Sequence, residues 1–155
     1  MDKNLLFQNL TVEIDLQLQL VTEAAQKTLD MATHEESKPE NKYDTRGLEA
    51  SYLARAQSER VLDLKSIRNG ILSLKIRDFD STQKIALTAL VELESKGKTL
   101  WLLLLPKGGG HSFKHETIVV KVITPESPLG SQLIGKSVDD LIQLKDLEYL
   151  VVSLY

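Results

Sequence analysis

Three sets of residues have side-chain types and spacings that could carry chemistry. His111 and His115 are four residues apart, a spacing that could bind a metal ion on a helix, but they lie in a strand-like run with no third ligand nearby. The triple glycine at 108–110 lacks the G-x-x-x-x-G-K-S/T spacing of a phosphate loop and predicts a flexible hairpin turn. Ser127 and Ser131 have no obvious base partner. We therefore expect no metal site, phosphate loop or catalytic nucleophile at these positions.

Acidic side chains are concentrated in THEESKPENKYDTRG, residues 33–47, where Tyr43 is almost the only apolar side chain. The four carboxylates are Glu35, Glu36, Glu40 and Asp44. Ser37 and Glu40 match an S-x-x-E capping box, and Pro39 falls in the first turn of the helix that would follow. Acids near a helix N-terminus are favoured by the helix dipole, so capping and solubility alone are one explanation of this stretch.

Basic side chains recur after the acidic stretch, at Arg46, Arg55, Arg60, Lys65 and Arg68. On a helix, some of them could form a stripe that faces nucleic acid or an acidic partner, and Arg46, Arg55 and Arg60 are the candidates we retain. Acidic residues are interleaved with them at Glu49, Glu59 and Asp63. A salt-bridged, solvated helix face is therefore equally compatible with the pattern.

The composition is that of a soluble globular protein, since 42% of the 155 residues are apolar and 26% are charged. The net charge of -3 argues against nucleic-acid binding by bulk electrostatics. The chain has no cysteine, which excludes disulfides and thiolate metal sites. The first ten residues do not read as a signal peptide, and the apolar run at 100–105 is too short to span a bilayer. We expect a cytoplasmic protein with no membrane partner.

The first half of the chain has the pattern of two long helices. Residues on the first recur with a spacing of 4, 3, 4, 3 and 4, at Ile14, Leu18, Val21, Ala25, Thr28 and Ala32. The second has a similar seam with some drift, at Ala50, Ala54, Gln57, Val61, Leu64, Ile67 or Arg68, and Ile71. Such seams, joined by a short connection, predict an antiparallel coiled-coil hairpin over residues 1–75 with an acidic tip at 34–44.

The second half, residues 76–155, has the pattern of a small mixed β-sheet with one short helix. Strands are predicted at 84–93, 98–106 and 116–123, and again in LIQL and LEYLVVSLY near the end of the chain. The turn between the first two contains Gly97, and a short helical turn is expected near 129–134. The fold class is therefore α+β, with a helical region followed by a sheet-containing region.

The segment ITPESPLGSQLIGKSVDD, residues 123–140, resembles the C-terminal signature of the bacterial Gre transcript-cleavage factors. That signature runs from an apolar strand through Ser-Pro-apolar-Gly or Ala and a short helix ending Leu-apolar-Gly-Lys to an acidic turn. The matching residues are Ser127, Pro128, Leu129, Gly130, Leu133, Ile134, Gly135, Lys136 and Asp140. Chain length and the predicted architecture agree with the same family, so the resemblance covers essentially the whole chain.

The resemblance implies an N-terminal coiled coil and an FKBP-like C-terminal domain that binds RNA polymerase at the rim of its secondary channel. The binding residues it implies are Ser127, Pro128, Leu129, Gly130, Gly135, Lys136 and Asp140. Tip carboxylates would help the polymerase hold its second catalytic Mg²⁺ and a water, so that a backtracked RNA is hydrolysed at its 3′ end. The tip candidates are Glu36, Glu40, Asn41 and Asp44. Such a factor is not an enzyme alone, has no cofactor or stable metal of its own, and is expected to be a monomer.

The tip departs from the family pattern, which reads Asp-x-x-Glu-Asn with a Tyr soon after. Glu40 and Asn41 match the Glu-Asn pair, but Ser37 stands where the family has its first acid, and Glu36 lies one residue further back. One alternative is therefore a regulator that enters the channel without stimulating cleavage. A more remote one is a peptidyl-prolyl isomerase, on the FKBP-like fold alone. In the acidic turn, Asp139 stands where many family members have Gly.

Overall fold

The structure is a computed structural model that describes residues 1–33, 46–144 and 146–155, with the backbone alone described at Ala32 and Arg46. It confirms the α+β class. The helices are α1 (Lys3–Thr33), α2 (Arg46–Leu72) and α3 (Pro128–Leu133). The strands are β1 (Leu90–Ser95), β2 (Lys98–Leu104), β3 (Ser112–His115), β4 (Ile118–Ile123), β5 (Leu141–Leu144) and β6 (Leu147–Leu154).

The described residues divide into two compact units. Unit 2 is Val12–Asn69 and holds most of α1 and α2. Unit 1 combines Met1–Thr11 with Gly70–Tyr155 and contains the whole sheet. The start of α1 therefore belongs to the same unit as the strands, although the sequence pattern places residues 1–75 together in the helical region.

Within unit 2, burial follows the predicted seam. Ile14 and Leu64 are fully buried and Ala54 nearly so. The other described seam positions in this unit are half-buried, whereas most positions between them are exposed. Asp15 of α1 forms an ion pair with Arg68 of α2, so an early residue of α1 lies beside a late residue of α2. The two helices therefore run in opposite directions here.

The sheet in unit 1 has the strand order β3-β4-β2-β1-β6-β5. All neighbouring pairs are antiparallel except β2 with β4, which are parallel, so the predicted mixed sheet is confirmed. Lys96 and Gly97 both have positive φ, of 49° and 72°, between β1 and β2. Two positive φ values at the central positions are those of the type I′ turn, whose twist matches a two-residue hairpin.

The predicted first strand is too long at its start, because β1 begins at Leu90 rather than at residue 84. Ile85 instead pairs with a distant loop, donating its N–H to the carbonyl oxygen of Lys136 at 2.8 Å. Thr88 has a left-handed φ of 72° and interrupts extended backbone. Its hydroxyl accepts a hydrogen bond from the N–H of Arg77 at 3.2 Å. The apolar residues before β1 therefore pack as a loop that carries tertiary hydrogen bonds.

Unit 1 buries apolar side chains on both faces of its sheet. One face packs Val91, Leu102 and Leu104 with Leu133 of α3 in a single cluster. Adjacent residues of a strand point to opposite faces, so fully buried Leu103 belongs to the other face. Residues 102–104 of the apolar run in β2 are thus buried on both faces of the sheet.

The start of α1 also packs within unit 1. Leu6 and Leu10 are fully buried. Asn9 is hydrogen-bonded through its amide nitrogen to Nδ1 of His115 on β3, at 3.0 Å. Asp2 caps this helix, since its carboxylate accepts a hydrogen bond from the N–H of Leu5 at 3.1 Å. The part of α1 up to Thr11, about two and a half turns, therefore belongs to the unit that contains the sheet.

Candidate functional site

The predicted tip lies outside the described residues. Glu36, Glu40, Asn41 and Asp44 all fall between Thr33, where α1 ends, and Arg46, where α2 begins. The prediction that these side chains meet an Mg²⁺ ion therefore stays a prediction. The second predicted site, in the 127–140 segment, is described throughout.

Ser127 organises the beginning of that segment. Its hydroxyl donates to the carbonyl oxygen of Thr124 at 2.7 Å and accepts from the N–H of Gly130 at 3.0 Å. It is the N-cap of α3, and Pro128 occupies the first turn. A cap hydroxyl satisfies a helix N–H that has no partner within the helix, and proline loses nothing at this position because its missing N–H is not needed there. The Ser-Pro pair is thus explained by helix initiation.

Gly130 is required by a close approach of two backbones. A Cβ atom at this position would lie 2.0 Å from the carbonyl oxygen of Thr124 and 2.9 Å from the Ser127 hydroxyl oxygen. No side chain fits that space without movement of the backbone. Gly130 is also buried, so its part in the signature is to let α3 pack against the end of β4.

Gly135 and Lys136 connect the segment to the loop before β1. Gly135 has a φ of 79° and donates its N–H to the carbonyl oxygen of Ile85 at 2.9 Å. The carbonyl oxygen of Lys136 accepts from the N–H of Ile85 at 2.8 Å. Leu133, two residues before Gly135, is fully buried in the cluster beneath the sheet. A pair of backbone hydrogen bonds and one buried leucine therefore hold the end of α3 in place.

The acidic turn is closed by Asp140, whose carboxylate accepts from the N–H of Ser137 at 2.8 Å. Asp139 has a left-handed φ of 71° and donates its N–H to the carbonyl oxygen of Val151 on β6 at 2.9 Å. Aspartate tolerates this conformation better than most residues and glycine tolerates it best. Asp139 is therefore compatible with the left-handed backbone that this turn requires.

The exposed surface of the segment differs from the predicted set. Of that set, Pro128 and Gly135 are exposed, Ser127, Leu129, Lys136 and Asp140 are half-buried, and Gly130 is buried. Sequence reasoning did not include Ile134 among the binding residues, yet its side chain is 45% exposed. Ile134 directly follows Leu133 and precedes Gly135, and an apolar residue in such a turn was the sequence signal that could have identified it as exposed. Pro128 and Ile134 therefore each present an exposed apolar side chain on this segment.

The basic side chains of α2 do not form one stripe. Arg55 is paired with Glu59, with Nε 3.1 Å from the carboxylate, and both side chains are well exposed. Arg60 is exposed as well, but five residues at 100° each place it about 140° around the helix from Arg55. Arg46 begins α2, and its side chain is outside the described residues. The observed pairing is that of a solvated, salt-bridged helix face.

Arg68 and Asp15 form a two-pronged ion pair. The Arg68 Nε donates to one carboxylate oxygen of Asp15, and a terminal guanidinium nitrogen is 3.3 Å from the other. The hydrogen bond that Arg68 donates to Asp15, together with the charge of Asp15, raises the pKa of Arg68 above its ordinary value. This pair links the two helices within unit 2.

The two histidines that are four residues apart in the sequence lie in the packed interior of unit 1. His111 and His115 are both buried. The Nδ1 atom of His115 takes part in the hydrogen bond with Asn9, while its Nε2 atom is buried without a hydrogen-bond partner. Across residues 1–33, 46–144 and 146–155, no group of three or more acidic, histidine or cysteine side chains could hold a metal ion. No helix among these same residues is long and apolar enough to cross a membrane.

Aromatic side chains of the sheet also serve packing. The ring centroids of Trp101 and Tyr155 are 6.0 Å apart in a tilted arrangement. Phe113 is buried and Tyr149 packs against the core cluster.

No protein-family model matches the chain, and no curated protein matches its sequence. Among solved structures, it is similar to the GreA factor homolog 1 (Gfh1) protein of Thermus thermophilus, with 24% identity over 94% of each chain and a TM-score of 0.38. Thermus aquaticus Gfh1 has 20% identity over 92% of each chain and a TM-score of 0.39. The elongation factor GreA/GreB from Nitrosomonas europaea has 14% identity over 68% of this chain and 90% of its own, with a TM-score of 0.36. At these values the similarities carry no argument about function.

Proposed function

We propose that this protein is a Gre-like transcription factor that binds bacterial RNA polymerase at its secondary channel. The observation that carries the proposal is the 127–140 segment. Its signature residues form one closed, hydrogen-bonded unit around Ser127, Gly130 and Gly135, with Pro128 and Ile134 exposed on its outside. Exposed apolar side chains on a hydrogen-bonded support are suited to binding a protein partner.

The helix pair of unit 2 is the basis for a further part of the proposal, which concerns what enters the channel. The buried seam and the Asp15–Arg68 pair are those expected for an antiparallel coiled-coil hairpin, and the chain between the helices contains Glu40 and Asn41. We propose that this hairpin enters the channel, and that the sheet-containing unit has the FKBP-like fold and contacts the channel rim.

The proposed chemistry at the tip is assistance to the polymerase's own Mg²⁺. One or two carboxylates with retained waters are the usual protein ligands of this ion. Two metal ions can stabilise the attacking and the leaving oxygen of a phosphodiester together. Glu40 and Glu36 are the acids we assign to this role, with Asn41 and Asp44 beside them. The protein alone would then have no nuclease activity and no cofactor of its own.

Ser37 favours a second candidate function, because it stands where the Gre factors have the first acid of their Asp-x-x-Glu-Asn tip motif. If Glu36 cannot take over that role, the protein would occupy the channel without promoting cleavage and would compete with cleavage factors. The two candidates share a binding site and differ only at the tip.

A transcript-cleavage assay separates these candidates. RNA polymerase is stalled in a backtracked complex with end-labelled RNA, and the protein is added with Mg²⁺, alongside Glu36→Ala and Glu40→Ala variants. Shortened RNA that requires both acids supports the cleavage factor. Suppression of cleavage by an authentic Gre factor, without any shortening, supports the regulator. Neither effect, at protein concentrations that saturate an authentic factor, overturns both.

A further inference from the structure

Helix α1 carries large apolar side chains on its exposed side as well as on its buried side. Val12, Leu16 and Leu20 are 58%, 53% and 67% exposed. Their spacing of four residues places them in one row along the helix, which we call the outer stripe. A helix that packs on one side only is expected to be polar on the other side. A continuous apolar row in this position marks a surface that contacts another protein.

The outer stripe lies opposite the side of α1 that packs in unit 2. Ile14 is fully buried and is two residues from both Val12 and Leu16, which is 200° around the helix. Leu18, two residues from both Leu16 and Leu20, is half-buried. The packed side therefore belongs to the seam with α2, and the outer stripe does not contribute to holding the two helices together.

The charge around the outer stripe is negative. From residue 4 to residue 26 the chain contains no Lys or Arg. Glu13 is seven residues before Leu20 and Glu23 is seven residues after Leu16, so both acids share the side of the stripe. Each accepts a hydrogen bond from a neutral side-chain amide, Glu13 from Gln17 at 2.9 Å and Glu23 from Gln19 at 3.0 Å. These bonds leave both negative charges uncompensated, so a complementary partner surface is apolar with Lys or Arg at its edges.

The outward side of α2 is polar by comparison. Five exposed residues recur along it with spacings of four, three, four and three, namely Arg55, Glu59, Leu62, Ser66 and Asn69. Leu64, two residues from both Leu62 and Ser66, is fully buried, so this row faces away from the seam. Arg55 and Glu59 form an ion pair with each other. The helix pair thus has one apolar outward side, on α1, and one solvated outward side, on α2.

We infer that the outer stripe is the surface by which the hairpin contacts the wall of the polymerase channel, and that the polar side of α2 faces the water in the channel. The inference rests on the proposed function, which places the hairpin inside another protein. An apolar row gains free energy when it is buried there, whereas a charged row would lose its hydration. The wall against the stripe is then an apolar surface with Lys or Arg beside Glu13 and Glu23. The stripe thereby fixes the rotation of the hairpin about its long axis.

Affinity for RNA polymerase is the first test. Full-length Leu16→Asn and Leu62→Asn variants compete with labelled wild-type protein for core polymerase. Leu16→Asn should weaken binding about tenfold or more, because an apolar contact with the wall is lost. Leu62→Asn is the matched control and should change the affinity less than about twofold. Both side chains are more than half exposed in the free protein, so neither change should disturb the fold, which circular dichroism checks.

The outcomes of this competition separate the inference from the proposed function. Wild-type affinity in both variants overturns the inference and leaves the proposed function standing. An equal loss in both variants contradicts the assignment of the contact to α1. A wild-type protein that does not bind polymerase overturns the proposed function and the inference with it.

Charge reversal tests the expected chemistry of the wall. Glu13→Lys and Glu23→Lys should each weaken binding, because they would place like charges against its Lys or Arg side chains. Asp63→Lys makes the same change of charge at an exposed position on α2 and should have a smaller effect. An equal loss of affinity in all three variants would indicate attraction by net charge alone and would contradict a basic border of the wall.

The chain has no native cysteine, so single cysteines can report which side is covered. Leu20→Cys and Leu62→Cys variants are labelled with a maleimide, free and in a complex with polymerase isolated by co-purification. The two native side chains are 67% and 65% exposed, so the labelling rates in the free protein are the reference. The Leu20→Cys variant should lose most of its reactivity in the complex, and the Leu62→Cys variant should retain most of it. Equal protection of both, or protection of neither in an isolated complex, overturns the inference.

Discussion

At the scale of single residues, the signature segment shows how a motif can be explained by backbone geometry before any partner is considered. Ser127, Gly130 and Gly135 serve a cap, a close approach and a positive φ, respectively. The residues available for recognition are their exposed neighbours, chiefly Pro128 and Ile134. Substitutions in the first group should therefore change stability, and under the proposed function substitutions in the second should change binding to RNA polymerase.

Gly130→Ala should be strongly destabilising. Its Cβ would lie 2.0 Å from a backbone oxygen, which cannot rotate away as a flexible side chain could. We expect a loss of about 3 kcal/mol or more in the free energy of unfolding, measured by urea titration. Ser131→Ala, at an exposed position on the same helix, should change it by less than about 0.5 kcal/mol. Equal, small effects for both variants would show that the backbone approach is relaxed in solution.

Lys3 should make stability depend on pH in the alkaline range. Burial lowers the pKa of Lys3 to about 8, against an ordinary value of 10.5, although nearby Asp78 opposes the shift. Its ammonium group donates to the carbonyl oxygen of Arg77 and lies 4.5 Å from the Phe79 ring centroid. Between these two pKa values the unfolded chain binds more protons than the folded chain at this residue. The contribution of Lys3 to stability therefore rises with pH over this range and is lost as pH falls through 8.

The measurement compares unfolding free energies of the wild type and Lys3→Met from pH 7 to about pH 10. Other lysines titrate in both proteins, so the difference between the two curves isolates this residue. The stability of the wild type relative to the variant should increase with pH. Parallel curves would contradict the assigned burial of the amine.

At the scale of elements, unit 2 is a helix pair with few buried side chains, so single contacts between its helices should be measurable. Both partners of the Asp15–Arg68 pair are more than a third exposed, and solvent screens their attraction. A double-mutant cycle with Asp15→Asn and Arg68→Gln should give a small, favourable coupling free energy. The value should fall as salt is added.

A second double-mutant cycle on the Arg55–Glu59 pair is the control. This pair is formed by residues four apart on one helix and is more exposed than Asp15–Arg68. Its coupling should be about 0.3–0.5 kcal/mol, as for other pairs four residues apart. A value for Asp15–Arg68 no larger than this would show that the pair does not hold the two helices together.

At the scale of the whole molecule, the first residues of the chain should stabilise the sheet near its end. Leu6 is fully buried within unit 1, whereas adjacent Leu5 is 40% exposed. Leu6→Ala should lower the free energy of unfolding by about 2–5 kcal/mol, and Leu5→Ala by less than about 1 kcal/mol. Thermal unfolding with a probe at Trp101 in β2 would report on the sheet itself. If Leu6→Ala leaves that transition unchanged, the start of α1 is not part of the sheet's core.

Much of the local structure was predictable from the sequence. The helical seams, the turn at Gly97 and the strands LIQL and LEYLVVSLY depend on side-chain period and turn chemistry, which act over a few residues. A short helical turn was predicted near 129–134, and the structure shows Ser127 as the N-cap of this helix and Pro128 in its first turn. Such signals are local and are carried by the residues themselves.

Only the tertiary structure decided which distant segments meet. The loop before β1 reads as strand, but its backbone groups bond to Gly135 and Lys136, fifty residues later in the chain. The start of α1 belongs with the sheet because Leu6, Asn9 and Leu10 find their partners there. In unit 2, Ala25 of α1 and Ser58 of α2 line one shared apolar groove. Periodicity specifies which side of a helix or strand is apolar, whereas the partner of that side depends on long-range packing that no local pattern records.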